Sequence, residues 1–171
     1  MNFNIIELLI LLFLIPFAFA WLSLAPWVPT IKKDIIRAMN LVDFKIWDNF
    51  YEIWCWDWRI TFYAGKNFNI NAYWIEICYP LYLYCVFKNF IIWSKNISFK
   101  NKDIFKFNLE NADVIYLYWM PDKNTRFVEK FNKELKKWTK IISYTFEIKW
   151  LEPIKIDKPW DKDLPIYVYE I

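Results

Sequence analysis

Two carboxylates, and the turn between them, carry the chemistry that this sequence can perform. Glu52 lies in the apolar stretch NFYEI (49–53), and a turn follows it. Glu76 stands 24 residues further on, near the end of INAYWIEI (70–77). An acid at a second strand tip can accept both hydroxyls of a ribose, and a tight turn leaving the first strand lets backbone touch a nucleotide. Such a turn needs glycine, because any Cβ would stand between chain and ligand. The chain carries tryptophan instead: Trp54, Trp56 and Trp58 alternate through YEIWCWDWRITFYAG (51–65).

Composition frames that anomaly. The 171 residues contain 12 Trp and 1 Gly, where roughly 12 glycines are usual for this length. One account covers both departures: many of the tryptophans stand for glycine, as happens when a UGA codon read as glycine is translated as tryptophan. The abundance of Lys, Asn, Ile, Phe and Tyr fits an AT-rich genome, where such reassignments sit. Local contexts agree. ELKKWTKIIS (134–143) reads as a helix stopped by glycine before a strand, and FKIWDNFYEI (44–53) as a turn glycine before a strand. Glycine is expected at positions 54, 56, 58, 74, 119 and 138, and tryptophan at 27. If the tryptophans of the turn are real, their rings fill the ligand's space and leave a binding module with a dead site.

Other chemistries are excluded or unsupported. The chain has no His, which removes Ser-His-Asp and Cys-His nucleophiles and His-ligated metal sites. Cys55, Cys78 and Cys85 have no zinc spacing, so no metal is expected, and a reduced compartment is the simplest setting. A net charge of +3 gives no reason to expect nucleic acid.

The N-terminus differs in kind. LLILLFLIPFAFAWLSLA (8–25) carries no charge. As a helix it would span about 27 Å, close to a bilayer core of roughly 30 Å. Lys32, Lys33, Arg37 and Lys45 follow the run and no Lys or Arg precedes it. The positive-inside rule then predicts a single-pass membrane protein with a cytoplasmic body. A cleaved signal ending in AFA (18–20) is the competing reading. Residues 1–25 are assigned to the anchor and 26–171 to one catalytic domain.

The body alternates strands and helices. Helices are expected over 31–42, 58–67, 80–91 and 124–137, and strands over 49–53, 70–77, 96–101, 112–120, 139–148 and 165–171. This is an α/β fold with a Rossmann-like, mostly parallel sheet. No clear helix separates the last two strands, which predicts an antiparallel pair at one edge. Residues 152–164, rich in Pro, Asp and Lys, are read as loop.

With glycine at 54, 56 and 58, the stretch around Glu52 takes the E/D-x-G-x-G form of class I S-adenosylmethionine-dependent methyltransferases. The dinucleotide form G-x-G-x-x-G does not fit, because position 59 is Arg. Asp103 in NKDIF (101–105), and the antiparallel final strands, point the same way. APWVPT (25–30), YEI-x-C-x-D-x-RI (51–60), Glu76, NADVIYLYWMP (111–121), ELKKWTKIISYTF (134–146) and LPIYVYEI (164–171) then occur in order. Over about residues 25–171 the chain resembles the small membrane-anchored lysine methyltransferases whose mitochondrial members modify the ATP synthase c-subunit and the adenine nucleotide translocase, together with their bacterial relatives. Tyr144 stands where that family usually shows His.

The resemblance implies S-adenosyl-L-methionine as cofactor and a membrane-associated protein as substrate. It implies that Pro29 and Thr30 close over the cofactor. Glu52 and the turn through Trp54, Cys55, Trp56 and Asp57 would hold the methionine moiety, Glu76 the ribose, and Asp103 with Ile104 the adenine. Tyr118, Met120 and Pro121 would line the mouth where the acceptor nitrogen enters. Each residue also has a purely structural role available: Asp57 as a helix cap, Glu76 as a surface strand end, Asp103 as a turn residue, Tyr118 as core. The alternative acceptor is a membrane-soluble small molecule such as a lipid or quinone.

Overall fold

The computed structural model describes residues 4, 5, 7, 10, 14, 30–53, 58–92, 94–118 and 125–171. The helices are α1 (Lys32–Met39), α2 (Arg59–Asn67), α3 (Tyr79–Ile92) and α4 (Thr125–Glu134). The strands are β1 (Asn49–Ile53), β2 (Asn71–Glu76), β3 (Ile97–Asn101), β4 (Val114–Leu117), β5 (Lys140–Tyr144), β6 (Lys155–Asp157) and β7 (Ile166–Glu170). They form one sheet in the order β3-β2-β1-β4-β5-β7-β6. The first five pair in parallel, and β7 runs antiparallel between β5 and β6. The expected antiparallel end is present, with one correction: the edge strand is β6, inside the segment read as loop.

Strand alternation divides the core in two. Val114 and Tyr116 of β4 face one side with Ile35, Met39, Ile60 and Ala64 of α1 and α2. Ile115 and Leu117 face the other with Phe127 and Phe131 of α4. This period of two, buried on both faces, is why the parallel strands read as nearly continuous apolar runs. Lys130 of α4 is almost buried, held by the Phe107 carbonyl at 2.5 Å and by Glu134.

The chain's single glycine has a packing reason. A Cβ on Gly65 would sit 2.5 Å from Cγ1 of Ile97, so α2 lies against β3 at a distance only glycine permits. Backbone geometry bears on the tryptophans as well. Among the described residues, Trp47 (φ 70°), Trp138 (φ 71°) and Thr145 (φ 73°) are the non-glycine residues with positive φ. The indoles of Trp47 and Trp138 are 70% and 74% exposed, so no packing offsets the cost of that conformation. Trp74 differs: its ring is fully buried, edge-on to Phe99, in a strand whose backbone asks for no glycine. Trp58 likewise has right-handed backbone (φ −53°) with its ring edge-on to Phe62, so its backbone asks for no glycine, and positions 54, 56 and 119 lie outside the described residues.

At the N-terminus, Asn4 and Glu7 exchange side-chain-to-backbone hydrogen bonds of 3.1 and 2.9 Å, a reciprocal cap that starts a helix. Ile5, Ile10 and Leu14 follow it with exposed side chains. No helix among the described residues is long and apolar enough to cross a membrane, and most of the 8–25 run lies outside them.

The left-handed positions give a stability prediction. Trp138→Gly and Trp47→Gly should each raise the unfolding free energy by about 0.5–1 kcal/mol, the left-handed penalty less the greater entropy of glycine in the unfolded chain. Urea denaturation checks this. Unchanged midpoints for both variants would show that these residues carry no strain.

Candidate functional site

The C-terminal ends of the parallel strands collect the chain's buried polar groups. Strand order reverses between β1 and β4, and open α/β sheets bind ligands at such a point. At the end of β1, Glu52 is fully buried. Its Oε2 accepts from the Thr61 backbone N–H at 2.8 Å and from the Thr61 hydroxyl. Thr61 lies in the first turn of α2, where backbone N–H groups lack intrahelical partners. Through this oxygen Glu52 anchors the strand end to the helix, and residues 54–57 connect the two in sequence.

Glu76 ends β2 and is 6% exposed, which is not the setting of a surface strand end. Its Oε1 accepts from the Cys78 N–H at 2.7 Å. Burial pushes its carboxyl up to about 7, against the opposing pull of the Cys78 and Ile77 N–H groups. The Glu76 carbonyl accepts from the Asn101 side chain at 2.9 Å and from the Lys102 N–H at 3.2 Å, which brings the end of β3 alongside. There Asp103 caps a short 3₁₀ turn, accepting from the Phe105 N–H at 3.0 Å. Ile104, the first residue of that turn, is buried.

Past β4 and β5 the ends are aromatic. Tyr118 is buried edge-on to Tyr144 with ring centroids 5.0 Å apart, and stacks on Phe146. The Tyr144 hydroxyl donates to Asp34 Oδ2 at 2.6 Å. Burial, and then the hydrogen bond to Asp34, raise its phenol well above the usual tyrosine value. Asp34 pairs with Arg37 at 2.7 Å, and Arg37 reaches Asp157 of β6 at 2.7 Å. Thr30 is buried with its hydroxyl 3.3 Å from that of Tyr116, which places it over β4.

The structure thus places Glu52, Glu76, Asp103 and Ile104 along the ends of β1, β2 and β3, and Thr30 and Tyr118 beside β4. Pro29, Trp54, Cys55, Trp56, Asp57, Met120 and Pro121 lie outside the described residues. Sequence reasoning missed Thr61, Asp34 and Arg37. The i, i+3 spacing of Asp34 and Arg37 was visible, but nothing in the sequence linked them to Tyr144, 110 positions away. No group of three His, Cys, Asp or Glu among the described residues could hold a metal ion.

The donor set fits an adenosyl ligand. A carboxyl buried at the tip of β2, with a raised pKa, can be ionised by two ribose hydroxyls that replace its lost hydration. The half-buried Asp103 and the buried Ile104 next to it offer an acceptor and an apolar contact to a base.

A family model described as the ANTKMT methyltransferase domain matches residues 55–155. A curated protein-lysine N-methyltransferase of Saccharolobus islandicus (strain REY15A) is 29% identical over 152 residues, 85% of this chain and 93% of the relative. An RNA methyltransferase from Salinibacter ruber, solved in complex with S-adenosyl-L-homocysteine, has a TM-score of 0.75 at 22% identity, covering 84% of this chain and 94% of its own. Precorrin 8w decarboxylase of Methanobacterium thermoautotrophicum has a TM-score of 0.61 at 12% identity, covering 86% and 94%. Likeness to these two structures is likeness of fold.

Burial of Glu76 has a sign that can be tested. Its native pKa of about 7 lies above the ordinary 4.5. Between those values the native state keeps a proton that the unfolded chain has lost, so stability falls as pH rises. In the ligand-free protein this contribution is fully present below about pH 4.5 and is lost as pH rises through about 7, amounting to about 3 kcal/mol. Urea denaturation across that range should show the decline, and Glu76→Gln should flatten it. An equally steep decline in Glu76→Gln would assign the effect to another group.

Proposed function

The chain belongs to the ANTKMT methyltransferase domain family, and from that premise we propose that it methylates a lysine of a membrane-associated protein. S-adenosylmethionine is its cofactor. The observation that carries the lysine reading is the protein-lysine N-methyltransferase of S. islandicus, whose similarity runs through nearly the whole of both chains. The uncharged run at 8–25 and the basic residues after it support membrane anchoring with the catalytic body on the cytoplasmic side.

Bound S-adenosylmethionine supplies an electrophilic methyl group on a sulfonium, open to in-line attack by a neutral amine. The protein's part is alignment and exclusion of water. Glu76 accepts the ribose hydroxyls. Asp103 and Ile104 meet the adenine. Glu52 fixes both ends of the 54–57 turn through Thr61, and the turn backbone meets the methionine moiety. Thr30 holds the leading segment over β4. Tyr118 and Tyr144 wall the side from which the acceptor arrives, and an aromatic, dry wall lowers the pKa of an entering lysine toward its reactive neutral form.

The same reading requires an open turn, so glycine is proposed at positions 54, 56 and 58 of the native protein. The left-handed backbone at Trp47 and Trp138 supports glycine in place of tryptophan elsewhere in the chain. Peptide masses of the native protein across 51–66 test it: three glycines are expected, and three tryptophans would leave no room for the cofactor.

The acceptor is tested with a chain carrying Trp54→Gly, Trp56→Gly and Trp58→Gly, incubated with membranes and methyl-labelled cofactor. Label is expected in a protein band and, after hydrolysis, in methyl-lysine. Label extracted into organic solvent would move the acceptor to a lipid or quinone. No transfer to any fraction would favour a binding module.

A further inference from the structure

α3 is the exception among α1 to α4. Tyr79, Leu83, Val86, Phe87 and Ile91 follow one another at spacings of four, three, one and four, which places them on one stripe of a helix. All five are exposed, Phe87 and Ile91 to 64% each. In α1, α2 and α4 no large apolar side chain is exposed. An apolar stripe facing outward from a folded domain marks a contact surface.

Charge decides what it contacts. From residue 77 to 102 the chain carries Lys88, Lys95, Lys100 and Lys102 and no acid. The Lys88 ammonium lies 5.6 Å from the centre of the Tyr84 ring, so cation and aromatic side chain share one surface. Two copies meeting through this face would set lysines against lysines. The uncharged 8–25 run offers those lysines no acid. A bilayer surface bearing anionic headgroups supplies both an apolar layer for the stripe and a counter-charge for its rim. With 14 residues, α3 is about 21 Å long, too short to cross a bilayer, so it would lie in the plane of the interface.

We propose that the outward face of α3 docks the catalytic domain onto an anionic lipid surface. The proposal extends the membrane reading of the N-terminal run, and the two can fail separately. Docking on the α3 side fixes which way the strand ends face along the membrane, and so which acceptors reach them.

The test uses the full chain with the photo-crosslinker p-benzoyl-phenylalanine placed singly at Phe87, Leu14 or Ile156, on vesicles of phosphatidylglycerol and phosphatidylethanolamine. Peptide mass spectrometry reads the adducts after illumination. Phe87→p-benzoyl-phenylalanine should give lipid adducts, and Ile156→p-benzoyl-phenylalanine, on edge strand β6, should give none. Adducts at 87 without adducts at 14 would uphold α3 docking and overturn the N-terminal anchor; the reverse would overturn docking alone. Crosslinks from 87 to a second copy or to residues 1–29, or lipid adducts equal at 87 and 156, would also overturn it.

Discussion

Everything at the candidate site depends on one buried contact, the Glu52 carboxylate on Thr61. A fully buried carboxylate is tolerable only where donors meet it. Here the donors include a backbone N–H that the start of α2 leaves without an intrahelical partner and the hydroxyl of the same residue. The contact joins the end of β1 to the first turn of α2. It therefore sets the separation that residues 54–57 must bridge. Gly65, one helical turn further on, brings the same helix close enough to β3 to cover Ile97.

From that joint the other parts follow outward. β2 and β3 pair in register from Ala72–Ile97 to Glu76–Asn101, which sets Glu76 and Asp103 on neighbouring strand ends. On the other side, β4 and β5 bring Tyr118 and Tyr144 together, and α1 closes over them through Asp34. Arg37 extends this tie to β6, so the leading helix is held to the far edge of the sheet. The acidic groups at the ends of β1 to β3 and the aromatic groups at the ends of β4 and β5 thus sit on opposite halves of one sheet edge, divided at the point where strand order reverses.

Much of this was legible in the sequence, for physical reasons that differ by element. The parallel strands are buried on both faces and short, so their apolar runs show directly, and β1 was read to the residue. α4 shows because its apolar face repeats at the helical period. α3 shows less sharply in its pattern, because its outward face is apolar as well. β6 was missed because Pro, Asp and Lys surround three residues whose only signal is a brief alternation. Glu76 was recognisable from its spacing after Glu52. The Glu52–Thr61 contact was not, since sequence gives the acid at a strand end without showing where its oxygens point. The Tyr144–Asp34 pair was hidden for a simpler reason: it joins residues 110 positions apart.

The central claim is that the tip of β2 holds the ribose of the cofactor. Calorimetric titration of S-adenosylmethionine into the chain with Trp54→Gly, Trp56→Gly and Trp58→Gly, with and without Glu76→Ala, tests it most directly. Two hydrogen bonds to a carboxylate, at about 1.5–3 kcal/mol each, correspond to a loss on the order of a hundredfold or more in affinity. That loss is the expected result, and unchanged binding in Glu76→Ala would contradict the assignment of this strand end as the cofactor site.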